Sequence, residues 1–198
     1  MCGIVGVVAQ RNATPILIRG LQRLEYRGYD SAGLAIVDAD GALKRLREVG
    51  KVQNLVDAVE RTPVTGGTGI AHTRWATHGK VTADNAHPHL SSRAEADQSV
   101  CLVHNGIIEN HTALRAELQE LGYEFFSQTD SEVIVHLIHY YLSQQPDLLE
   151  AVRQAVRRLE GAYALAVIAS GENERIIAAR QGCPLIWGTG IGENFLAS

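Results

Sequence analysis

The second residue of the chain is a cysteine, and its position gives it particular chemical potential. Initiator methionine is removed efficiently when a small residue follows it, so the mature chain is expected to begin at Cys2. An α-amine has a pKa of about 7.7–8.0, so part of it is unprotonated at neutral pH and can accept a proton. Because a thiolate is strongly nucleophilic, Cys2 would carry a nucleophile and a base in one residue. The position alone is also compatible with a small buried residue that starts a core strand.

Four segments of the chain carry further groups able to do chemistry. They are residues 1–6 (MCGIVG), 24–33 (LEYRGYDSAG), 71–79 (AHTRWATHG) and 104–110 (HNGIIEN). Together they closely resemble the glutaminase domain of the glucosamine-6-phosphate synthase family (glutamine–fructose-6-phosphate aminotransferases), which are class II glutamine amidotransferases. The resemblance runs through essentially the whole chain to residues 192–195. Four long motifs in the same order are a specific signal.

The resemblance implies glutamine as the substrate, and the groups of glutamine explain two residue types. The α-carboxylate of glutamine is best bound by a planar, permanently charged, bidentate donor, which Arg74 provides. The α-ammonium group needs a carboxylate, and Asp130 resembles the family's residue for it. Taken singly, Arg74 could be a solvated charge, and Asp130 could be a first-turn acid favoured by the helix dipole.

Attack of a thiolate on the glutamine amide converts the carbonyl oxygen into an oxyanion. The resemblance implies two donors for that oxyanion, the side-chain amide of Asn105 and the backbone N–H of Gly106. Glycine at position 106 is expected because the backbone must approach the reacting atom without a Cβ in the way. Asn-Gly after a strand is also a common hairpin turn, and that alternative stays open here.

Five further residues receive supporting roles from the resemblance. Thr77 and His78 are similar to the segment that closes over bound glutamine, and Trp75 is similar to the residue that gates ammonia passage. His87, in the motif at residues 85–89 (NAHPH), is expected to shape the substrate or interdomain loop. Arg27 is expected to lie near the nucleophile and to act electrostatically. Trp75 has a structural alternative as a core residue.

The reaction that these residues imply needs no cofactor. The thiolate of Cys2 attacks the γ-amide carbon of glutamine, the α-amine passes a proton to the departing ammonia, and water hydrolyses the thioester to glutamate. In the full enzyme, ammonia would convert fructose 6-phosphate, bound by sugar isomerase domains absent from this chain, to glucosamine 6-phosphate. The full enzyme is expected to be a homo-oligomer.

Two other functions remain open at this point. The chain could be the glutaminase domain of another class II amidotransferase, such as amidophosphoribosyltransferase or asparagine synthetase. The sequences of residues 26–30 and 73–78 favour the glucosamine-6-phosphate synthase family. It could also be a catalytically silent binding module.

Composition limits the kinds of binding partner and the cellular compartment that are expected. The formal net charge is −4 and basic residues form no long run, which argues against a nucleic-acid or membrane partner. No stretch approaches the roughly 20 apolar residues of a membrane helix. Three widely spaced cysteines fit a reducing cytoplasm better than a disulfide framework. A metal site is not expected, because His87 and His89 form the only close pair of candidate zinc ligands.

The hydrophobic pattern predicts alternating strands and helices around these motifs. Strands are predicted at residues 3–8, 32–38, 43–49, 68–73, 100–104, 162–169, 174–180 and 184–188. Three helices are predicted at residues 52–61, near residues 114–121 and near residues 152–159. Two more are predicted from their N-terminal signals: one begins at a Thr14 cap followed by Pro15, and one follows a Thr129/Glu132 capping box. His136 and His139 are expected to line the polar edge of their helix.

Strands paired near both ends, with helices between them, predict an α+β fold. The resemblance makes that fold more specific: an N-terminal-nucleophile hydrolase sandwich, αββα, of two mainly antiparallel sheets flanked by helices. Residues 1–198 are expected to form one glutaminase domain that lacks its C-terminal end. Residues 90–100 are expected to form a surface insertion relative to the family.

Overall fold

The structure, a computed structural model, describes residues 2–75, 79–91 and 98–198. The helices within them are α1 (Thr14–Leu24), α2 (Val52–Arg61), α3 (His111–Glu120), α4 (Ser131–Gln144) and α5 (Leu148–Val156), with a short 3-10 helix at Glu25–Arg27. The strands are β1 (Gly3–Ala9), β2 (Ser31–Val37), β3 (Leu43–Val49), β4 (Thr68–Arg74), β5 (His89–Leu90), β6 (Val100–Ile108), β7 (Gly161–Ala169), β8 (Ile177–Gln181), β9 (Ile186–Thr189) and β10 (Glu193–Ala197).

The strands form two antiparallel sheets. The larger sheet has the order β3-β2-β4-β1-β10-β9, and the smaller has the order β5-β6-β7-β8. Three buried apolar clusters separate the layers: one under α1 and α2, one between the sheets, and one under α3, α4 and α5. The predicted α+β architecture of two antiparallel sheets flanked by helices is confirmed.

Strand alternation explains why the sheets can be buried on both sides. In β1, Ile4 packs between the sheets, whereas Val5 and Val7 pack toward α1. In β6, Val103 packs between the sheets and Leu102 packs toward α4. Successive side chains in a strand point to opposite faces, so each central strand contributes to two cores at once.

Two predicted helix caps are wrong. The residue before α1 is Ala13 rather than Thr14, whose hydroxyl donates to the carbonyl of Val64 at 2.7 Å. The Thr14 N–H donates instead to the side chain of Asn12 at 3.1 Å. The capping box before α4 is absent as well: the carboxylate of Glu132 accepts N–H groups from residues 126 and 127. Both polar side chains bond more distant backbone, which local spacing does not reveal.

Strand limits differ from the sequence pattern in two places. Strand β6 continues to Ile108, and Gly106 pairs with Tyr163 of β7, so the hairpin-turn alternative for Asn105 and Gly106 is wrong. Strand β10 was not predicted at all, although it lies between β1 and β9. Its residues are only partly buried, and this weakens the alternation that would have identified it.

The expectation for the two histidines of α4 is also wrong. His136 and His139 are buried. The Nε2 of His136 donates to the carbonyl of Glu124 at 3.0 Å, and His139 shares a hydrogen bond of 2.6 Å with the hydroxyl of Tyr123. Both histidines therefore anchor the segment before α4.

Among the described residues, no helix is both long enough and apolar enough to cross a lipid bilayer.

We expect Leu165→Ala to lower the free energy of unfolding by about 2–5 kcal/mol, because Leu165 is fully buried in β7 and its removal leaves a cavity. Leu149→Ala, on the partly exposed face of α5, should change it by about 0.5 kcal/mol or less. Urea unfolding followed by circular dichroism measures both. Equal losses in the two variants would contradict the assignment of this core.

Candidate active site

Four side chains that carry polar or reactive groups meet at one end of the space between the sheets. Strand alternation directs them there: His72 and Arg74 lie on the face of β4 that looks into this space, and Asn105 does so from β6. Cys2 lies two residues before Ile4, whose side chain packs between the sheets. Beyond the apolar cluster the space becomes polar, and Cys2 and Arg74 line a common cavity there.

The thiol of Cys2 is half-buried and contacts the backbone of Trp75. The Trp75 N–H donates to the Cys2 sulfur at 3.2 Å, and the Trp75 carbonyl lies 3.6 Å from that sulfur. A hydrogen bond to an ionised acceptor is stronger than one to a neutral acceptor. The Trp75 N–H therefore interacts more favourably with a thiolate than with a thiol, which suits a nucleophilic role for Cys2.

The guanidinium of Arg74 is buried and held from two sides. Asp30 lies 3.6 Å from it, and the carbonyl of Lys80 accepts a hydrogen bond at 3.3 Å. The backbone N–H of Asp30 also donates to the Arg74 carbonyl at 2.7 Å. Asp30 belongs to one of the four sequence motifs, but the sequence alone assigns it no role. In the structure it orients the arginine that faces the cavity.

Asp130 lines the same cavity from the start of α4. Its carboxylate accepts the Ile108 N–H at 2.8 Å and lies 4.0 Å from Nδ1 of His104. Although Asp130 occupies the N-cap position, its side chain does not cap the helix. The alternative of a simple first-turn acid therefore does not account for its placement. A cationic and an anionic side chain thus face one small space, which matches the two charges of an amino acid.

Asn105 and Gly106 lie at the edge of the site but differ in how they reach it. Gly106 lines the cavity, whereas the Asn105 amide lies behind Cys2, with its nitrogen 3.4 Å from the Cys2 carbonyl and 2.8 Å from the Ser198 hydroxyl. Gly106 has a positive φ of 132°, and a Cβ there would collide with the carbonyl of Ala162. Packing against β7 therefore requires this glycine, in addition to any need for a close approach by substrate.

His87 forms part of the cavity wall together with His104 and Ser131. His87 stacks on His72 with ring centroids 4.2 Å apart, and its Nδ1 accepts the His104 N–H at 3.3 Å. The Ser131 hydroxyl lies 2.8 Å from Nδ1 of His104 and 3.4 Å from Nε2 of His87. Burial lowers the pKa of both histidines. Neutral rings in the wall can bind a polar substrate without competing with Arg74 for its carboxylate.

The remaining predicted residues fall at the rim of the site or outside the described chain. Trp75 lines the cavity but is about half exposed, so its alternative as a core residue is wrong. Arg27 donates a hydrogen bond to the Ser198 carbonyl at 2.6 Å, and the hydroxyl of the same serine contacts the Asn105 amide. Thr77 and His78, together with most of the predicted insertion at residues 90–100, lie outside the described residues.

The cavity at Cys2 is small. It measures about 40 Å³, which is well below the roughly 300–1,000 Å³ of typical ligand sites. A larger apolar cavity of about 460 Å³ lies between β1, β8 and β10, but its described lining contains no Cys, Ser, Thr or His. We locate the chemistry at the smaller cavity because it brings a thiol, a guanidinium and a carboxylate together. The described residues contain no group of three or more side chains arranged to hold a metal.

Sequence reasoning missed a second carboxylate that supports the site. Glu132 is buried and accepts hydrogen bonds from the Phe126 N–H at 2.9 Å and from the Ser127 N–H at 2.7 Å. Burial raises the pKa of Glu132, but hydrogen bonds from His136, Phe126 and Ser127 outweigh burial and lower it from 4.5 to about 2. Glu132 therefore fixes the segment that leads into Asp130. An acidic residue within the apolar sequence of α4 was the signal in the sequence that could have identified Glu132 as a buried, hydrogen-bonded group.

We expect Glu132→Gln to lower the free energy of unfolding at pH 7 by about 1–3 kcal/mol, because two backbone N–H groups lose a charged acceptor. The folded pKa lies below the unfolded value, so the contribution of Glu132 is present above about pH 4.5 and disappears as the pH falls toward 2. The difference from the wild type should therefore shrink over that interval in urea titrations. Glu150→Gln, on the surface of α5, is the control; a constant difference at every pH would contradict the assignment.

Comparison with known proteins identifies the family of this chain. The sequence profile of the glutamine amidotransferase domain family matches residues 72–198. Over all of its 198 residues the chain is 61% identical to glutamine–fructose-6-phosphate aminotransferase [isomerizing] of Pseudomonas putida and 60% identical to that of Pseudomonas aeruginosa. The chain covers 32% of each of these relatives, so it spans about a third of their length.

Structural comparison gives the same answer for the fold. Glutamine phosphoribosylpyrophosphate amidotransferase from B. subtilis superimposes with a TM-score of 0.84 at 29% identity, over 99% of this chain and 41% of that one. The predicted N-terminal-nucleophile hydrolase fold is confirmed. A matching profile, high identity along the whole chain and a shared fold lead to one conclusion: the chain belongs to the glutamine amidotransferase domain family.

Proposed function

We propose that this domain hydrolyses L-glutamine to glutamate and ammonia with Cys2 as the nucleophile, and that it serves as the glutaminase half of a glucosamine-6-phosphate synthase. One observation carries the proposal: the Cys2 thiol, the Arg74 guanidinium and the Asp130 carboxylate line one cavity. A nucleophile beside a matched pair of opposite charges is what an amino acid with a reactive side chain requires.

Substrate binding follows from the charges. The α-carboxylate of glutamine pairs with Arg74, which Asp30 and the Lys80 carbonyl already orient. The α-ammonium group pairs with Asp130, whose second oxygen is held by the Ile108 N–H. Two charges held in one cavity orient the side chain of glutamine toward Cys2, and such positioning lowers the entropic part of the barrier. His87 and His104 complete the wall as neutral, polar rings.

The chemical step transfers an acyl group to sulfur. The Cys2 thiolate forms a bond to the carbonyl carbon of the glutamine side-chain amide, the carbonyl electrons move to oxygen, and the tetrahedral intermediate then expels ammonia. The proton needed by the leaving nitrogen comes from the α-amine of Cys2, which received it from the thiol. Water then attacks the thioester, and glutamate leaves with regeneration of the thiol. No cofactor enters this sequence.

The oxyanion of the intermediate needs fixed donors near Cys2. We assign this role to the Gly106 N–H, because Gly106 lines the cavity, and to the Asn105 amide nitrogen, which lies beside the Cys2 carbonyl. The loss of one such donor typically reduces kcat about 10²- to 10³-fold. Arg27 supports this corner through Ser198. Thr77 and His78 remain predicted to close over the substrate, and Trp75 to gate ammonia.

The names of the relatives support one molecule as the acceptor of the ammonia. The name shared by relatives at 56–61% identity over the whole chain is glutamine–fructose-6-phosphate aminotransferase, which supports fructose 6-phosphate as the acceptor. It would be bound by sugar isomerase domains of a longer, homo-oligomeric enzyme. The phosphoribosylpyrophosphate amidotransferase is a weaker candidate because its identity is only 29%. The described cysteines are free thiols, in keeping with work in the cytoplasm.

We expect Cys2→Ala to abolish glutamate release, with a fall in kcat of more than about 10⁴-fold, because Cys2 is the only thiol among the described residues that line the cavity. Alanine is also small, so methionine removal is preserved. Cys183→Ala is the matched control, since that partly buried thiol lies outside the cavity and its loss should leave the rate unchanged. The assay measures glutamate release, with intact mass to confirm the N-terminus. Full activity in Cys2→Ala would refute the mechanism.

We expect Arg74→Lys to raise KM for glutamine about 10- to 100-fold while kcat changes little, because lysine lacks the bidentate fork that grips a carboxylate. The analogue 4-aminobutanamide, which is glutamine without its α-carboxylate, should react equally poorly with the wild type and with Arg74→Lys. Arg153→Lys on the surface of α5 is the control. A variant that discriminates between glutamine and this analogue as well as the wild type does would show that Arg74 does not bind the carboxylate.

A further inference from the structure

We propose that His72 is a positioning residue that sets the orientation of the Asn105 amide, so that its N–H edge rather than its carbonyl edge faces Cys2. The inference deepens the proposed function and rests on it, because the orientation matters only if an oxyanion forms beside Cys2. Nε2 of His72 and Oδ1 of Asn105 are 2.8 Å apart. This contact bridges the two sheets, since His72 lies in β4 and Asn105 in β6.

The carboxamide of asparagine can be turned by 180° with almost no change in shape, but the two orientations have opposite chemistry. Its nitrogen donates two hydrogen bonds and its oxygen only accepts. In the structure the nitrogen faces the Cys2 carbonyl at 3.4 Å and the Ser198 hydroxyl at 2.8 Å. The reversed amide would direct its oxygen at the Cys2 carbonyl and at the developing oxyanion, and both contacts would be repulsive.

Neither contact on the nitrogen side fixes the choice by itself. The bond to the Cys2 carbonyl is long, and the Ser198 hydroxyl can either donate or accept. The Ser198 oxygen already accepts the Ile4 N–H at 2.9 Å, so it remains able to turn its own hydrogen toward an amide oxygen. The contact with His72 is the short one on the oxygen side. It selects the productive orientation when Nε2 carries the hydrogen.

The surroundings keep His72 suited to that task. Burial lowers the pKa of His72 to about 3, although the hydrogen bond to Asn105 acts in the opposite direction. The ring is therefore neutral at physiological pH and has a single N–H. His87 stacks on it at 4.2 Å between centroids, and this contact restricts rotation of the ring. When Nε2 carries the hydrogen, this neutral, stacked ring donates to Oδ1 of Asn105.

Three variants test this inference. His72→Leu removes the donor while keeping an apolar side chain of similar bulk, and His72→Gln offers a replacement N–H near the position of Nε2. His139→Leu is the matched control: that histidine is equally buried and hydrogen-bonded, but its partner is Tyr123, far from the cavity. The measurements are kcat and KM for glutamine, the rate of Cys2 alkylation by iodoacetamide, and the melting temperature.

The expected pattern separates positioning from simple loss of stability. In His72→Leu, kcat should fall about 10- to 100-fold, less than for the loss of an entire oxyanion donor, because the amide remains but is no longer held in one orientation. KM and the alkylation rate should stay near the wild-type values, because Arg74, Asp130 and the thiol are untouched. His72→Gln should recover most of kcat. His139→Leu should lower the melting temperature without lowering kcat.

Opposite results overturn the inference. If His72→Leu keeps the wild-type kcat, His72 does not position Asn105; if His72→Gln is as impaired as His72→Leu and both lose alkylation, its role is structural. ¹⁵N NMR of labelled histidine decides independently of activity: a neutral His72 with hydrogen on Nε2 supports the inference, and hydrogen on Nδ1 refutes it. If the wild type does not hydrolyse glutamine, the proposed function fails, and the NMR result still decides the orientation of the amide.

Discussion

The site depends on the antiparallel register between β1 and β4, in which Gly3 faces Thr73. This register brings the residue before β1 beside the residue after β4, so the Cys2 sulfur meets the backbone of Trp75. A shift of one residue would turn every side chain of β1 to the opposite face. Ile4 would then leave the space between the sheets and Cys2 would leave the cavity. The close approach also requires glycine at position 3, since a Cβ there would lie 2.8 Å from Leu24 and 3.0 Å from Thr73.

Around this register the protein buries several polar side chains, most of which have hydrogen-bond partners. His72, His87 and His104 are buried beside the cavity, and burial lowers the pKa of each. Unpaired polar groups in an apolar interior are costly, so such residues normally appear with partners. Here the partners are one another, Ser131 and Asn105. The result is a wall with little charge of its own, beside which the charged groups of Arg74 and Asp130 line the same cavity.

Support for the two charged residues comes from different parts of the chain. Arg74 is oriented by Asp30, which precedes β2, whereas the segment leading to Asp130 is tied down by Glu132 of α4. Asp130 also accepts the Ile108 N–H of β6, so the two charged residues together are linked to the larger sheet, the smaller sheet and the helical layer. A substrate bound between Arg74 and Asp130 would therefore touch all three layers, and the separation of its binding charges would be set by how the layers pack.

The sequence by itself determined an α+β fold and, through its resemblance to the family, predicted Cys2 as an N-terminal nucleophile with Arg74 and Asp130 as matched charges. Strong local periodicity was enough to place α2 and the pair β2 and β3. Tertiary structure decided the rest: the continuation of β6 through Asn105 and Gly106, the insertion of β10 beside β1, and the pairing of His72 with Asn105. Those features depend on contacts between residues distant in the chain. Side-chain period and cap spacing report only on neighbours in the chain, so they place local elements but do not show which distant groups will meet.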